Sequence, residues 1–321
     1  MAEPRLTLPI RGRAEVKDGW VYQWEPASLV FPDATPTTAA PAFLPMIAAP
    51  AFARLHEYAG LWAMEPSAFR LGWQSFARMD LAAHIKSATP PPQPSGFELV
   101  KGKGGKSVAV VKVMGTLMKQ RSSMGGTSTI DLRRQVRMAA ADPGIYGILL
   151  AIDSPGGSVA GIDDLAKDVK AARRKKPVHA HIDDLGASAA YWIASQAEVI
   201  YANSPTALVG SIGSLLTIYD VSQAAERDGI KALVFATGPL KASGAPGTPV
   251  TDEQQAYFQS LVDATQEHFD AAVRSGRGMS AAQLKDVRSG AVFPAAVAQE
   301  RKLIDGIRGL ESTLEALAAA H

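Results

Sequence analysis

Cysteine is absent from the 321 residues of the chain, and neither sign of charge dominates. Without cysteine there is no disulfide framework, no thiol nucleophile and no thiolate metal site, and the composition suits a reducing compartment. The 33 basic and 31 acidic side chains leave a net charge of +2. Such a balance gives no electrostatic reason to expect a nucleic acid partner.

Long hydrophobic runs are also lacking. The longest apolar stretch, residues 39–53, contains three prolines and is shorter than the roughly 18–20 residues that span a bilayer. The first 20 residues carry charges throughout, without the continuous apolar segment of a secretory signal. We therefore expect no membrane span and a cytoplasmic location.

A proline-rich segment, "SATPPPQPSG" at 87–96, divides the chain. Four prolines make this segment a stiff, extended spacer rather than a helix interior. We predict an N-terminal appendage over residues 1–95 and a separate, larger domain over residues 96–321. An apolar helical stripe is predicted within the appendage, formed by Phe69, Trp73, Phe76, Leu81 and Ile85.

Strand and helix patterns alternate after the spacer, which predicts an α/β fold with a mainly parallel sheet. Hydrophobic periodicity places five strands and two long helices. The strands are expected at 107–117, 147–155, 177–183, 198–203 and 231–237, and the helices at 128–142 and 161–176.

Ser188 lies in "DDLGASAAYWIAS", residues 183–195, among alanines and a glycine. Ala189, Ile193 and Ala197 recur at helical spacing, so Ser188 sits at the start of a short helix. A serine at this position can cap the helix by accepting a backbone hydrogen bond. It can equally be a nucleophile, because the helix start favours a developing negative charge. The local residues fit both functions.

A second polar turn, "DSPGGS" at 153–158, follows a buried strand. Gly156 and Gly157 let the backbone approach a ligand closely and present N–H groups to an oxyanion. The same residues also fit an ordinary strand-to-helix turn.

Two further patterns do not support binding sites. "KGKGGKS" at 101–107 has Val100 where a phosphate loop requires glycine, and it precedes its strand. His179 and His181 alternate on one strand face, and we favour a plain strand role over metal binding because ligand spacing is lacking. We expect no cofactor and no metal.

Four blocks, "AIDSPGGSVAG", "GASAAYWIASQAEVIYA", "ALVGSIGS" and "LVFATGPLKASG", occur in the order of the signal peptide peptidase A family of serine peptidases. The resemblance covers about residues 105–310 and implies a Clp protease/crotonase-like fold. The segment "ASAAYWIAS" resembles the phage and prophage members of the minor capsid protein C type, which are head-maturation proteases. Cellular members usually have Ser-Gly-Gly where this chain has Ser188-Ala189-Ala190.

The resemblance implies a role for each matching residue. Ser188 would be the nucleophile and Lys241 the general base, with burial keeping its amine neutral. Gly156, Gly157 and Ala189 would form or support the oxyanion hole, and Ser211 would orient the lysine. The only histidines after Ser188 are His268 and His321, which disfavours a Ser-His-Asp triad.

Three function classes follow. The first is a Ser-Lys endopeptidase, either a capsid-scaffold protease in the bacterial cytoplasm or procapsid or a cellular signal-peptide-peptidase-like enzyme. The second is an acyl-CoA enzyme of the crotonase type, which the serine and lysine blocks disfavour. The third is a capsid component with a vestigial site. The expected partners are a protein or peptide substrate and further copies of the chain.

Overall fold

The structure is a computed structural model that describes residues 60–81, 83–84, 96–101, 106–123 and 125–320. The described residues belong to one compact unit. Its strands are β1 Trp62–Met64, β2 Glu98–Lys101, β3 Ser107–Met114, β4 Leu117–Met118, β5 Thr127–Ser128, β6 Ile145–Ser154, β7 Gly156–Ser158, β8 Val178–Ala187, β9 Val199–Ala202, β10 Leu208–Gly210, β11 Val292–Pro294 and β12 Gly306–Ile307. Its helices are α1 Pro66–Ala77, α2 Thr129–Ala141, α3 Ile162–Arg173, α4 Ala189–Ala194, α5 Ser222–Arg227, α6 Asp252–Arg277, α7 Ala281–Val287, α8 Ala295–Glu300 and α9 Leu310–Ala319.

An eight-stranded sheet forms the centre of the molecule, in the order β11-β10-β8-β6-β3-β2, with β9 beside β8 and β12 beside β9. All its pairs are parallel except the two at the ends of the path, β10 with β11 and β2 with β3. The expected α/β fold with a mainly parallel sheet is therefore confirmed. Within the described residues, no helix is both long and apolar enough to cross a membrane.

Helices cover the central sheet on both faces, which explains why β6 reads as an almost continuous apolar run. Successive side chains of a strand point to opposite faces. Ile148 and Leu150 accordingly join the main core beneath α2 and α3, whereas Leu149 packs against Leu317 of α9 on the other face.

The expected apolar stripe of α3 is confirmed residue by residue. Its members all lie buried in the core: Ile162, Leu165, Ala166, Val169 and Ala172. Arg173 lies in the last turn of the helix, where a cation complements the helix dipole.

The strand predicted over residues 231–237 is wrong for this chain, because the residues there have no strand hydrogen bonding. Leu233 and Phe235 are 68% and 93% exposed. A β-prone segment becomes a strand only beside a partner edge, and none is provided here by the described part of the same chain.

A smaller sheet, in the order β1-β7-β4-β5, lies beside the end of β6. Residues on the two sides of the predicted spacer are in contact here, because β1 pairs antiparallel with β7. Trp62, Met64 and Met118 form a buried cluster with Phe69 and Leu215 packed against it. The domain boundary near residue 95 stays a prediction.

Of the predicted stripe in the appendage, Phe69, Trp73 and Phe76 lie on α1. Phe69 contacts the ring of Trp62 edge-on at 5.6 Å. Trp73 stacks on Tyr219 at 5.7 Å. Ile85 lies outside the described residues.

Candidate active site

Ser188 occupies the sharp turn between β8 and α4. Its backbone has φ 55° and ψ −119°, a left-handed conformation that costs a non-glycine residue of order 1–3 kcal/mol. Hydrogen bonds on both sides hold it: the Ser188 N–H donates to Gly210 O at 2.7 Å, and the Trp192 N–H donates to Ser188 O at 2.8 Å. A strained strand-to-helix turn of this kind presents the hydroxyl of nucleophilic serines in hydrolases.

The Ser188 side chain makes no capping hydrogen bond to α4. Its hydroxyl instead donates to Gly213 O at 3.3 Å. The capping alternative is therefore wrong, and the hydroxyl points toward the loop that follows β10.

The Pro-Gly-Gly turn requires glycine at two positions. Gly156 has φ +97°, and a Cβ there would lie within 3 Å of both Ala63 O and Ala189 N. A Cβ on Gly157 would lie within 3 Å of the Leu117 backbone. The turn therefore brings its own backbone next to the amide that follows Ser188.

The two glycine amides differ in the groups that face them. The Gly156 N–H donates to Ser154 Oγ at 3.2 Å, so it already has an acceptor within its own turn. Gly157 lies in the middle of β7, opposite Ala63 of β1. Ala189 begins α4, and the first N–H groups of a helix have no acceptor within the helix. The Gly157 amide faces a separate strand rather than its own turn, so Gly157 and Ala189 are the candidate pair of oxyanion donors.

Ser211 also lies at this end of the sheet, directly after β10. It is buried and has a positive φ of 49°, and its N–H donates to Ala291 O at 2.7 Å. Because Gly210 and Gly213 both accept hydrogen bonds from Ser188, Ser211 lies in the loop that contacts the serine.

Lys241, the predicted general base, is exposed to solvent, whereas Ser188 is buried. Lys241 lies in an exposed turn, where its N–H donates to Gly238 O at 3.2 Å. Among the described residues no hydrogen bond or ion pair holds its amine. The burial expected for this lysine is not found within the single chain.

The two histidines of β8 lie in the interior, away from the turn at Ser188. His181 Nδ1 is 3.0 Å from Thr313 Oγ1 on α9, and the His179 ring contacts Tyr201 edge-on. Burial is the main cause that lowers the pKa of each imidazole. Their packing fits the plain strand role, and the described residues contain no cluster of three or more His, Asp or Glu side chains able to hold a metal.

Three carboxylates lie near the Pro-Gly-Gly turn. Burial, followed by repulsion from Asp183 and Asp184, raises the pKa of Asp153. Asp153 ends the run of β6 that leads into the turn, and its carbonyl accepts from the Gly115 N–H at 2.8 Å. Asp153 therefore keeps its proton to higher pH than an exposed aspartate.

Sequence patterns did not reveal two parts of this site. One is Gly213, which accepts the serine hydrogen bond. The other is β1, which pairs with the glycine turn from a distant part of the chain. The only local signal for β1 is an apolar triplet just before the start of α1. Glu65 caps that helix, because its carboxylate accepts a hydrogen bond from the Ala68 N–H at 2.8 Å.

Comparison with known proteins relates this part of the chain to peptidases. Residues 170–321, which include Ser188 and Lys241, match the model of Peptidase family S49. The part of the chain that contains Ser188 and Lys241 thus matches the S49 peptidases.

Two curated relatives illustrate the range of this similarity. Capsid assembly protease C of Escherichia phage lambda is 31% identical over 219 residues, which are 67% of this chain and 48% of the relative. Protease 4 of Salmonella typhi is 29% identical over 204 residues, 63% of this chain and 33% of the relative. The chain spans about half or less of the length of these relatives. Among solved structures, a ClpP1 variant from Listeria monocytogenes is similar with a TM-score of 0.42 and 15% identity, over 64% of this chain and 94% of that one.

Proposed function

We propose that this protein is a serine endopeptidase in which Ser188 is the nucleophile and Lys241 the general base. The observation that carries the proposal is the strained, buried Ser188 beside a Pro-Gly-Gly turn whose backbone reaches the Ala189 amide. Positive φ at a serine is costly. A purely structural turn would gain nothing from that cost, whereas a nucleophile gains a fixed hydroxyl direction.

The proposed reaction is acyl transfer through an acyl-enzyme. The Ser188 hydroxyl attacks the substrate carbonyl and passes its proton to the neutral Lys241 amine. The Gly157 and Ala189 N–H groups hold the oxyanion that develops. The lysine then returns the proton to the leaving amine, and water hydrolyses the ester by the same steps. Ser211 orients the lysine amine, and no step needs a cofactor.

The proposal includes assembly into a homo-oligomer, because Lys241 must leave solvent to act as a base. An exposed apolar segment of the same region supports assembly: Ile230, Leu233, Val234 and Phe235 are 53%, 68%, 46% and 93% exposed. Contiguous apolar surface of this kind is typical of protein interfaces. Packing of residues 230–241 against another copy would cover both these side chains and the lysine.

The substrate class that we propose is a capsid scaffold protein, processed in the bacterial cytoplasm or within a procapsid. The similarity to the phage lambda capsid assembly protease supports this choice. The similarity to Protease 4 supports a second candidate, a cellular signal-peptide-peptidase-like enzyme. The small side chains around Ser188 favour small or apolar residues at the cleaved bond.

Labelling with a fluorophosphonate reagent tests the nucleophile. We expect one labelled residue, Ser188, and complete loss of label in Ser188→Ala. The matched control is Ser195→Ala, which removes a buried serine just after α4 whose hydroxyl donates to Trp192 O at 2.7 Å. Equal labelling of the native protein and Ser188→Ala would exclude the proposed nucleophile, and an unlabelled native protein would favour a vestigial site.

Light scattering after gel filtration tests assembly. Phe235→Glu should lower the measured mass toward that of one chain. Lys285→Glu changes an exposed residue of α7, outside this segment, and should leave the mass unchanged. A native protein that is monomeric at micromolar concentration would contradict the proposed oligomer.

A further inference from the structure

Strand β1 is hydrogen-bonded on both of its edges. Trp62, Ala63 and Met64 pair antiparallel with Ser158, Gly157 and Gly156. On its other edge, Trp62 exchanges two backbone hydrogen bonds with Leu215, at 2.9 and 2.8 Å. The segment therefore runs as a strand between the glycine turn and the loop that contacts Ser188.

The register of this pairing shows that the Gly157 N–H is hydrogen-bonded to β1. The Glu65 N–H donates to Pro155 O at 2.7 Å, and the Val159 N–H donates to Leu61 O at 3.1 Å. Bonded and non-bonded residue pairs alternate along an antiparallel ladder. The Ala63–Gly157 pair lies midway between these two bonded pairs and is therefore bonded, so the Ala63 carbonyl accepts the Gly157 N–H.

The Ala63 carbonyl also lies next to the second oxyanion donor. Ala63 O and Ala189 N are both within 3 Å of the position that a Cβ on Gly156 would take. The Ala63 carbonyl thus takes up the Gly157 N–H, one of the two proposed oxyanion donors, and lies within about 5 Å of the other, the Ala189 nitrogen. Ala63 is fully buried there, so a substrate carbonyl cannot reach the Gly157 amide while β1 is in position.

Only Ala63 of β1 belongs to the main core, whereas Trp62 and Met64 belong to a small separate cluster. The helix that follows, α1, is exposed along much of its length, with Leu71 and Trp73 61% and 38% exposed. Release of β1 and α1 would therefore uncover far less apolar surface than unfolding of the domain.

We propose that residues 61–65 form an internal inhibitory strand that fills the substrate cleft in the manner of a bound peptide and must leave before the enzyme can act. This inference rests on the proposed peptidase function for its consequence, since occupation blocks the oxyanion donors. A released cleft would take an extended peptide in the direction of β1, antiparallel to β7.

A reversible disulfide tests the inhibitory strand. Trp62 and Ser158 face each other as a non-bonded pair, whose Cα atoms are about 4.5 Å apart in such ladders, within the disulfide range. The chain has no other cysteine, so Trp62→Cys/Ser158→Cys can form one bridge only. The two single variants, which cannot form the bridge, are the controls.

Two readouts follow the state of the cleft in the oxidised and reduced double variant. The first is the rate of fluorophosphonate labelling of Ser188. The second, made with the additional change Ser188→Ala, is fluorescence anisotropy of a labelled peptide with the sequence of residues 59–66. We expect reduction to raise both the labelling rate and the peptide affinity by about tenfold or more, a free-energy difference of about 1.4 kcal/mol or more. Reducing agent should not affect the single variants.

Ala63→Arg provides a second variant, because a buried arginine opposite Gly157 should expel β1. Its labelling should be faster than that of the native protein, while Leu71→Arg on the exposed face of α1 should match the native protein. Circular dichroism confirms that both remain folded. Unchanged peptide affinity between the redox forms would overturn the inhibitory strand, and so would slower labelling in a folded Ala63→Arg. Absence of labelling in every form with a redox-dependent peptide affinity would contradict the peptidase function alone.

Discussion

The indole of Trp192 stacks on the ring of Phe269, with centroids 4.6 Å apart and planes inclined by 10°. Both side chains are almost completely buried. Trp192 belongs to α4, which Ser188 precedes, and Phe269 belongs to the long helix α6. This contact therefore fixes the short helix that defines the direction of the nucleophile.

Phe269→Ala should destabilise the domain. Loss of a buried phenylalanine typically costs about 3–5 kcal/mol of unfolding free energy, through lost apolar burial and the cavity left behind. Urea unfolding followed by far-ultraviolet circular dichroism measures the change. Tyr257→Ala on the same helix, where the ring is 37% exposed, should cost much less. Equal costs for the two variants would show that the stacked pair contributes no special stability.

Gly157→Ala should abolish Ser188 labelling. The added methyl would meet the Leu117 backbone, so β7 must shift and the Gly157 amide must move with it. The control is Gly72→Ala, since a Cβ there meets nothing within 4 Å and alanine favours a helix over glycine by about 1 kcal/mol. Normal labelling kinetics in Gly157→Ala would rule out this amide as an oxyanion donor.

Local patterns predicted the elements of the central sheet well, because each has its own periodicity. The apolar spacing of α3 and the unbroken run of β6 identify their burial directly. The segment at 231–237 has an equally good strand pattern, but a strand needs a partner edge, and the described part of the chain provides none. A local sequence pattern does not show whether such a partner edge is present.

The site was predictable where a constraint on the backbone requires a particular residue type. Glycine at 156 and 157 and serine in an alanine-rich turn correspond to real constraints on φ and on close approach. The pairing of β1 with β7 was not predictable, because it joins residues more than 90 positions apart through backbone atoms that every residue shares. The exposure of Lys241 was missed because small neighbouring side chains permit burial without requiring it.

The buried histidines should make stability depend on pH. Burial lowers the pKa of His179 and His181 in the folded chain, while the unfolded chain keeps the ordinary value of about 6.5. The unfolded state therefore binds more protons below that value, and the stabilisation present above pH 6.5 should decline as the pH falls below it. Urea unfolding between pH 7.5 and pH 5, run at steps of about half a unit, measures this slope.

Substitution separates this effect from general acid sensitivity. The double variant His179→Phe/His181→Asn should show a smaller decline in unfolding free energy over the same range. His268→Ala removes an exposed histidine of α6 and should keep the native slope. An unchanged slope in the double variant would assign the acid sensitivity to other groups.

Lys241→Arg should be nearly as damaging as Lys241→Ala. Only a neutral amine accepts the serine proton, and arginine keeps its charge throughout the accessible pH range. For the same reason, kcat/KM of the native protein should rise with pH as the amine loses its proton. Peptide hydrolysis by the oligomer is measured across this range for the native protein and both variants. Lys231→Arg, a change at another exposed lysine of the same region, is the matched control. A lysine that acted only through its charge would tolerate arginine, so substantial turnover by Lys241→Arg would refute the Ser188–Lys241 dyad while leaving the nucleophile assignment to the labelling experiment.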